Sequence, residues 1–202
     1  MGSRRSFLRA SLAGIMVLGL AGCGGPDGTW SNADLPHDAP SGGWARADME
    51  SAIRALPGIE DVSISGWEPN TKGNVGVALR FSLAAGYTVS RGPALITYLV
   101  ESAWSVRQGY MPNAAITIAV RSSPEDPFDG PAAARAAGWL PAGGDLGRFN
   151  PETGYSVTEV WLPGHDGVRA DSGLGARENL DRLGTWPGPV PATPDGLITR
   201  RP

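Results

Sequence analysis

Val75-Gly76-Val77-Ala78-Leu79-Arg80-Phe81 decides the fold. Its large apolar residues fall on every second position, with glycine, alanine and arginine between them. A period of two sets Val75, Val77, Leu79 and Phe81 on one face of a strand and leaves the other face small or polar. The residues just before it, Glu68-Pro69-Asn70-Thr71-Lys72-Gly73-Asn74, are turn formers. Before that turn Ile59 to Trp67 alternates as well, with Val62 and Ile64 on one side and Ser63 and Ser65 on the other. Two strands joined so tightly make an antiparallel hairpin.

Helical spacing flanks the hairpin on both sides. Met49, Ala52, Ile53 and Leu56 fall on one face of a helix within Trp44 to Pro57, with Arg46, Asp48, Glu50 and Arg54 elsewhere, and Pro57-Gly58 stops it. On the other side Pro93 suits the first turn of a second helix. Leu95, Tyr98, Leu99, Ala103 and Val106 make its face, Ile96, Val100 and Trp104 widen it, and Gly109 and Pro112 end it. Ala115 to Arg121 alternates again, burying Ile116, Ile118 and Val120. The predicted order over 44–121 is helix-strand-strand-helix-strand. A right-handed crossover makes the third strand parallel to the second, giving an α/β two-layer sandwich with two helices on one face of three strands. That order resembles the BON domain, a small bacterial module of exported proteins and lipoproteins associated with binding membranes or other envelope surfaces. Ile53 to Leu56 before Pro57-Gly58-Ile59, and Gly73 to Leu79, carry the resemblance; Phe81 and Met111-Pro112-Asn113 depart from it.

The N-terminus announces export. Ser3-Arg4-Arg5-Ser6-Phe7-Leu8-Arg9 is basic, and Ala10 to Gly22 is an apolar run of small or aliphatic residues. As a helix that run spans roughly 20 Å, short of the ~30 Å hydrocarbon core, so 1–22 reads as a signal peptide. Leu20-Ala21-Gly22-Cys23 resembles a lipobox. The resemblance implies that Cys23 carries a thioether-linked diacylglycerol and begins the mature chain; the alternative is a buried cysteine behind an ordinary helix. Ser3 to Leu8 resembles the twin-arginine export motif, with Arg4 and Arg5 as its pair and Arg9 where lysine is common; the general secretory route is the alternative. Two acyl chains suffice for stable anchoring, which places the protein on the outer face of the cell membrane. Without Arg4, Arg5 and Arg9, 14 basic side chains face 20 acidic ones, the wrong sign for added attraction to anionic lipid. Residues 23–43 comprise the lipidated cysteine and a flexible tether, Gly24 to Gly43, with a reach of roughly 25 Å as a coil. Trp30 interrupts it, either packing on the domain edge or lying in the lipid interface.

Residues 122–202 form a Gly/Pro-rich extension expected to be irregular and packed on the domain. Pro131 to Leu140, with Asp129 near its start, and Leu174 to Leu183, ending at Gly184, are short helix candidates. Tyr155 to Leu162 is a candidate fourth strand. Trp139, Trp161 and Trp186 recur along it. Each large aromatic buries about 150–250 Å² and can pin a loop to a core; the alternative is an aromatic platform for glycan or peptide. Trp186-Pro187-Gly188-Pro189-Val190-Pro191 reads as an extended, polyproline-like end.

Composition narrows the chemistry. A chain of 202 residues with 41% hydrophobic and 18% charged residues is neither a disordered polyelectrolyte nor a multi-span membrane protein. Its 29 glycines and 18 prolines leave only part of it for a regular core. One cysteine and two histidines argue against a disulfide framework or a zinc site, so no cofactor or metal is expected. A formal charge of −3 argues against a nucleic-acid partner, since phosphate binding needs a basic surface. Arginine outnumbers lysine sixteen to one, which with the lipobox resembles actinobacterial lipoproteins. Nucleophilic catalysis needs a base beside Ser or Cys. His37 lies in the tether, and Gly164-His165-Asp166-Gly167 is turn chemistry. Glu125-Asp126, Asp129, Glu152 and Glu159 offer a carboxylate pair for glycoside hydrolysis, or simply solvated loops. No catalytic residue is assigned. Glu159 shares its strand face with Tyr155 and Trp161, while Val160 and Leu162 take the burial. The leading reading is a membrane-anchored, extracytoplasmic, non-enzymatic binding module, held to the membrane through Cys23 and taking an envelope protein or cell-wall component as partner. A lipid- or small-molecule-binding module with an apolar cavity is the alternative, and a carboxylate-dependent hydrolase the third.

Overall fold

A computed structural model describes residues 32–143, 146–165, 167, 169 and 172–201. Arg4, Arg5, Cys23, Trp30 and Asp166 lie outside the described residues. Within them the hairpin forms as the alternation dictates. Strand β1 (Ile59–Pro69) pairs antiparallel with β2 (Val75–Leu83), Ile64 facing Leu79 and Ser65 facing Ala78. Asn70 closes the turn, its Oδ1 accepting from the N–H groups of Lys72 and Asn74. After a short strand β3 (Tyr87–Val89), helix α2 (Gly92–Trp104) crosses over, and β4 (Ala115–Arg121) runs parallel to β2 with Leu79 beside Ile118. Helix α1 (Arg46–Arg54) buries Met49 and Ile53 completely.

The α/β sandwich is wider than its sequence periodicity over 44–121 indicated. The sheet has five strands in the order β1-β2-β4-β6-β5, because β6 (Tyr155–Trp161) and β5 (Arg148–Asn150) extend it beyond β4. The extension is therefore regular where it meets the sheet. Val160 stands beside Ile116 and is fully buried, so the core continues across the expected boundary at residue 121. Helix α3 (Gly130–Ala136) joins the same layer as α1 and α2. Asp129 caps it, Oδ1 accepting from the Ala132 N–H at 2.9 Å, with Pro131 in the first turn. Helix α4 (Ala176–Leu183) ends at Gly184 as its sequence signalled.

Two segments outside the sheet complete the packing. The expected tether is not free along its whole length. Leu35 is buried, and backbone N–H groups of Asp38, Ala39 and Trp44 donate to the carbonyls of Gly109, Arg107 and Ser105. Gly43, at φ 53°, lies so close to the Ser105 carbonyl that a side chain has no room. Main-chain pairing, not side-chain pattern, docks this stretch. The C-terminal segment crosses the outside of α2: Gly188 lies against Trp104, the Thr193 hydroxyl reaches Tyr98 Oη at 3.2 Å, and β7 (Ile198–Arg200) pairs with β3. The apolar width of α2 follows from that cover, for eight of its residues are buried, more than a single sheet-facing stripe supplies.

Candidate functional site

With the helices on one side, the sheet's other face carries the alternate residues of every strand, and the described residues lay no helix over it. Cross-strand register assigns its rows. Ser65, Ala78, Thr117 and Glu159 form one row; Ser63, Arg80, Ala119, Val157 and Arg148 the next; Glu60, Ser82, Arg121, Tyr155 and Asn150 a third. Arg80, Arg121, Arg148 and Tyr155 are exposed. Ala119 and Val157, in the middle, are only 4% and 5% exposed. They form a small apolar floor ringed by longer side chains, which shield it. Strand spacing places Arg80 and Arg121 about 8 Å apart at their Cα atoms, Arg121 and Arg148 about 12 Å, and Arg80 and Arg148 about 14 Å.

The residues singled out from sequence do not converge. Glu159 stands half-buried on the open face opposite Thr117, sharing it with Tyr155 and Trp161, while Val160 and Leu162 are buried. The other acids serve separate turns. Glu125 accepts from the Ser123 hydroxyl at 2.8 Å, Asp129 caps α3, and Glu152 sits exposed in the β5–β6 turn. The histidines lie in different loops: His37 is tilted against Tyr110 with ring centroids 5.1 Å apart, whereas His165 packs beside Gly73 and its backbone N–H donates to Asn74 Oδ1. Asp38 accepts from the Gly109 N–H at 2.8 Å and has His37 beside it, and these hold its carboxyl below the ordinary 3.8.

Two of the tail tryptophans pin loops. Trp139 is buried, donates to Thr97 Oγ1 at 3.0 Å and carries Arg182 at 3.7 Å over its ring; Trp186 packs against the main core. Trp161 instead stands on the open face under Arg169, 5.1 Å from its ring centre. A cavity of about 560 Å³ lies between Gly138–Pro141 and the start of α4, with Arg177, Glu178 and Asn179 on its wall. Its lining is mixed, with charged and amide side chains beside Trp139 and Leu140. Among the described residues no three His, Cys, Asp or Glu side chains gather as a metal site, and no helix is long and apolar enough to cross a membrane.

Sequence reasoning picked out Glu159, Tyr155 and Trp161 as face-mates but missed the arginines around them. Arg80 and Arg121 are visible as polar members of alternating strands. Arg148 joins them only through the pairing of β5 with β6, and no periodicity encodes that. No protein-family model, no curated protein and no solved structure matches the chain.

Proposed function

We propose that the protein is a membrane-anchored extracytoplasmic lipoprotein whose α/β sandwich is a non-enzymatic binding module of the cell envelope. The observation that carries the anchor is Leu20-Ala21-Gly22-Cys23, with the only thiol of the chain where a lipobox needs it, behind a basic and then apolar leader. The dispersal of the acids and histidines over separate turns supports binding over catalysis, since general acid–base work needs two groups converging on one substrate. An uncovered sheet face edged with arginine and tyrosine is the surface best suited to a partner. The resemblance to the BON order supports an envelope role.

Metabolic labelling with a fatty-acid analogue tests the anchor: the wild type takes label and Cys23→Ser does not, whereas equal labelling removes it. Export through the twin-arginine route predicts that Arg4→Lys with Arg5→Lys stays in the cytoplasm; surface delivery of that double variant assigns the general route. Pull-down of the acylated protein from its own membranes then reports the partner. A small-molecule carrier is the second reading, favoured by the cavity beside Trp139. Ligand-dependent thermal stabilisation that Asn179→Ala abolishes would support it.

A further inference from the structure

The described arginines divide into two groups. Arg46, Arg169, Arg182 and Arg200 lie over the rings of Trp67, Trp161, Trp139 and Tyr87, and Arg54, Arg91 and Arg107 reach the Glu50 carboxylate, the Asp195 carbonyl and the Gly42 carbonyl. Arg135 and Arg177 are also engaged. Leaving aside Arg201 at the chain end, the guanidiniums without a hydrogen bond, ion pair or ring contact among the described residues are Arg80, Arg121 and Arg148. All three stand on the open sheet face, in its second and third rows.

Their setting is selective. A guanidinium presents five N–H donors in a planar fork that fits a carboxylate or phosphate bidentately. Here three forks stand around Ala119 and Val157, which are 4% and 5% exposed beneath the side chains that ring them. Tyr155, 38% exposed, adds an aromatic surface between Arg121 and Arg148. The rest of the face is hydroxyl, amide and carboxylate: Ser63, Ser82, Thr117, Asn150, Glu60 and Glu159. Hydroxyls, an amide and two carboxylates interleaved with the guanidiniums suit a ligand that alternates acid groups with hydroxyl groups, rather than a phospholipid surface or an acidic peptide that offers charge alone. A chain of sugar rings uses every group: its acid substituents take the arginines, its hydroxyls take the serines, threonine and carboxylates, and an apolar ring face meets Tyr155.

We propose that the open sheet face binds an acidic polysaccharide of the cell envelope, held by Arg80, Arg121 and Arg148 through its carboxylates and by Tyr155 through a sugar face. This deepens the binding-module reading and rests on it.

Polygalacturonate is the probe, with dextran, poly-glutamate and phosphatidylglycerol vesicles as the other arms, offered to the full-length chain carrying Cys23→Ser. Retention by polygalacturonate that falls with added salt, with none by dextran, is the expected result. Changing Arg80, Arg121 and Arg148 together to Gln should weaken it about tenfold, and Tyr155→Phe, which keeps the ring and its packing, should leave it within about twofold, with thermal melts confirming that each variant is folded. Equal retention of the triple variant overturns the proposal. Arginine-dependent binding to poly-glutamate or to vesicles, with none to polygalacturonate, overturns the glycan assignment in favour of an acidic protein or a membrane. No binding in any arm overturns the face as an anion site, while a partner captured from membranes by the same protein would leave the binding-module reading standing.

Discussion

Gly130→Ala tests how closely α3 sits on the sheet. A methyl group built on Gly130 would stand 2.7 Å from Thr158 Oγ1 and 3.1 Å from Ser156 Oγ. Both hydroxyls come from the helix-facing side of β6, both are buried, and neither has a hydrogen-bond partner among the described residues. Thr158 is β-branched and stiff at χ1, so the contact is relieved only by lifting α3 or straining the strand. Overpacking of that kind costs about 1–3 kcal/mol. Thr158→Ala alone removes a hydroxyl whose burial without a partner costs about 1–3 kcal/mol, but it also leaves a small void, so its net effect is close to zero. In the double variant the new methyl group fills that void, and the two changes should couple by about 0.5–3 kcal/mol in the favourable sense. Urea titrations of the four proteins measure the cycle. Thermal melts check it, at about 2–4 °C per kcal/mol for a chain of this size. A Gly130→Ala protein within about 0.5 kcal/mol of wild type would refute the reasoning, as would a double variant no better than the sum of its singles.

Asn113 is buried, accepts from the Val75 N–H at 2.8 Å and donates to the Gly73 carbonyl at 3.0 Å. Asn113→Ala strands both partners and should cost about 2 kcal/mol by urea unfolding, and a loss under about 0.5 kcal/mol contradicts this. Ile118, central and buried, should cost about 2–5 kcal/mol as alanine, and His165→Ala much less; comparable losses would mean that the core is misplaced. The Asp38 carboxylate, lowered by the Gly109 N–H and by His37, stabilises the folded chain above its unfolded pKa, and that contribution is lost as pH falls through the lower folded value. Asp38→Asn should therefore flatten the acid limb of stability below about pH 4, and an NMR titration placing the Asp38 midpoint at or above 3.8 would count against it.

What could be read beforehand was whatever side-chain periodicity records. The strands at 75–83 and 115–121 alternate cleanly because one face is core and the other is not, and α3 carries its start signals in Asp129 and Pro131. Strand β5 has only three residues, too few for a period, and its place depends on β6. The docking of residues 35–44 left no pattern, because backbone groups make it together with Leu35, His37 and Asp38, which fall at no regular period. The same limit governed the site. Each arginine of the open face is ordinary in its own strand, and their grouping is a property of register, which sequence spacing within one strand cannot state.

The late cover over α2 has a consequence for synthesis. Tyr98 and Trp104 are shielded by residues 188 and 193, and Tyr87–Val89 closes with Ile198–Arg200, more than a hundred positions downstream. At about 5–20 residues per second, a ribosome takes roughly 5–20 s to travel from Trp104 to the end of that pairing. Through that interval an indole and a phenol destined for the interior stay bare on a half-built protein, open to nascent neighbours. The burden falls on whatever holds the emerging chain, and a stop codon placed before residue 186 would make the exposure permanent.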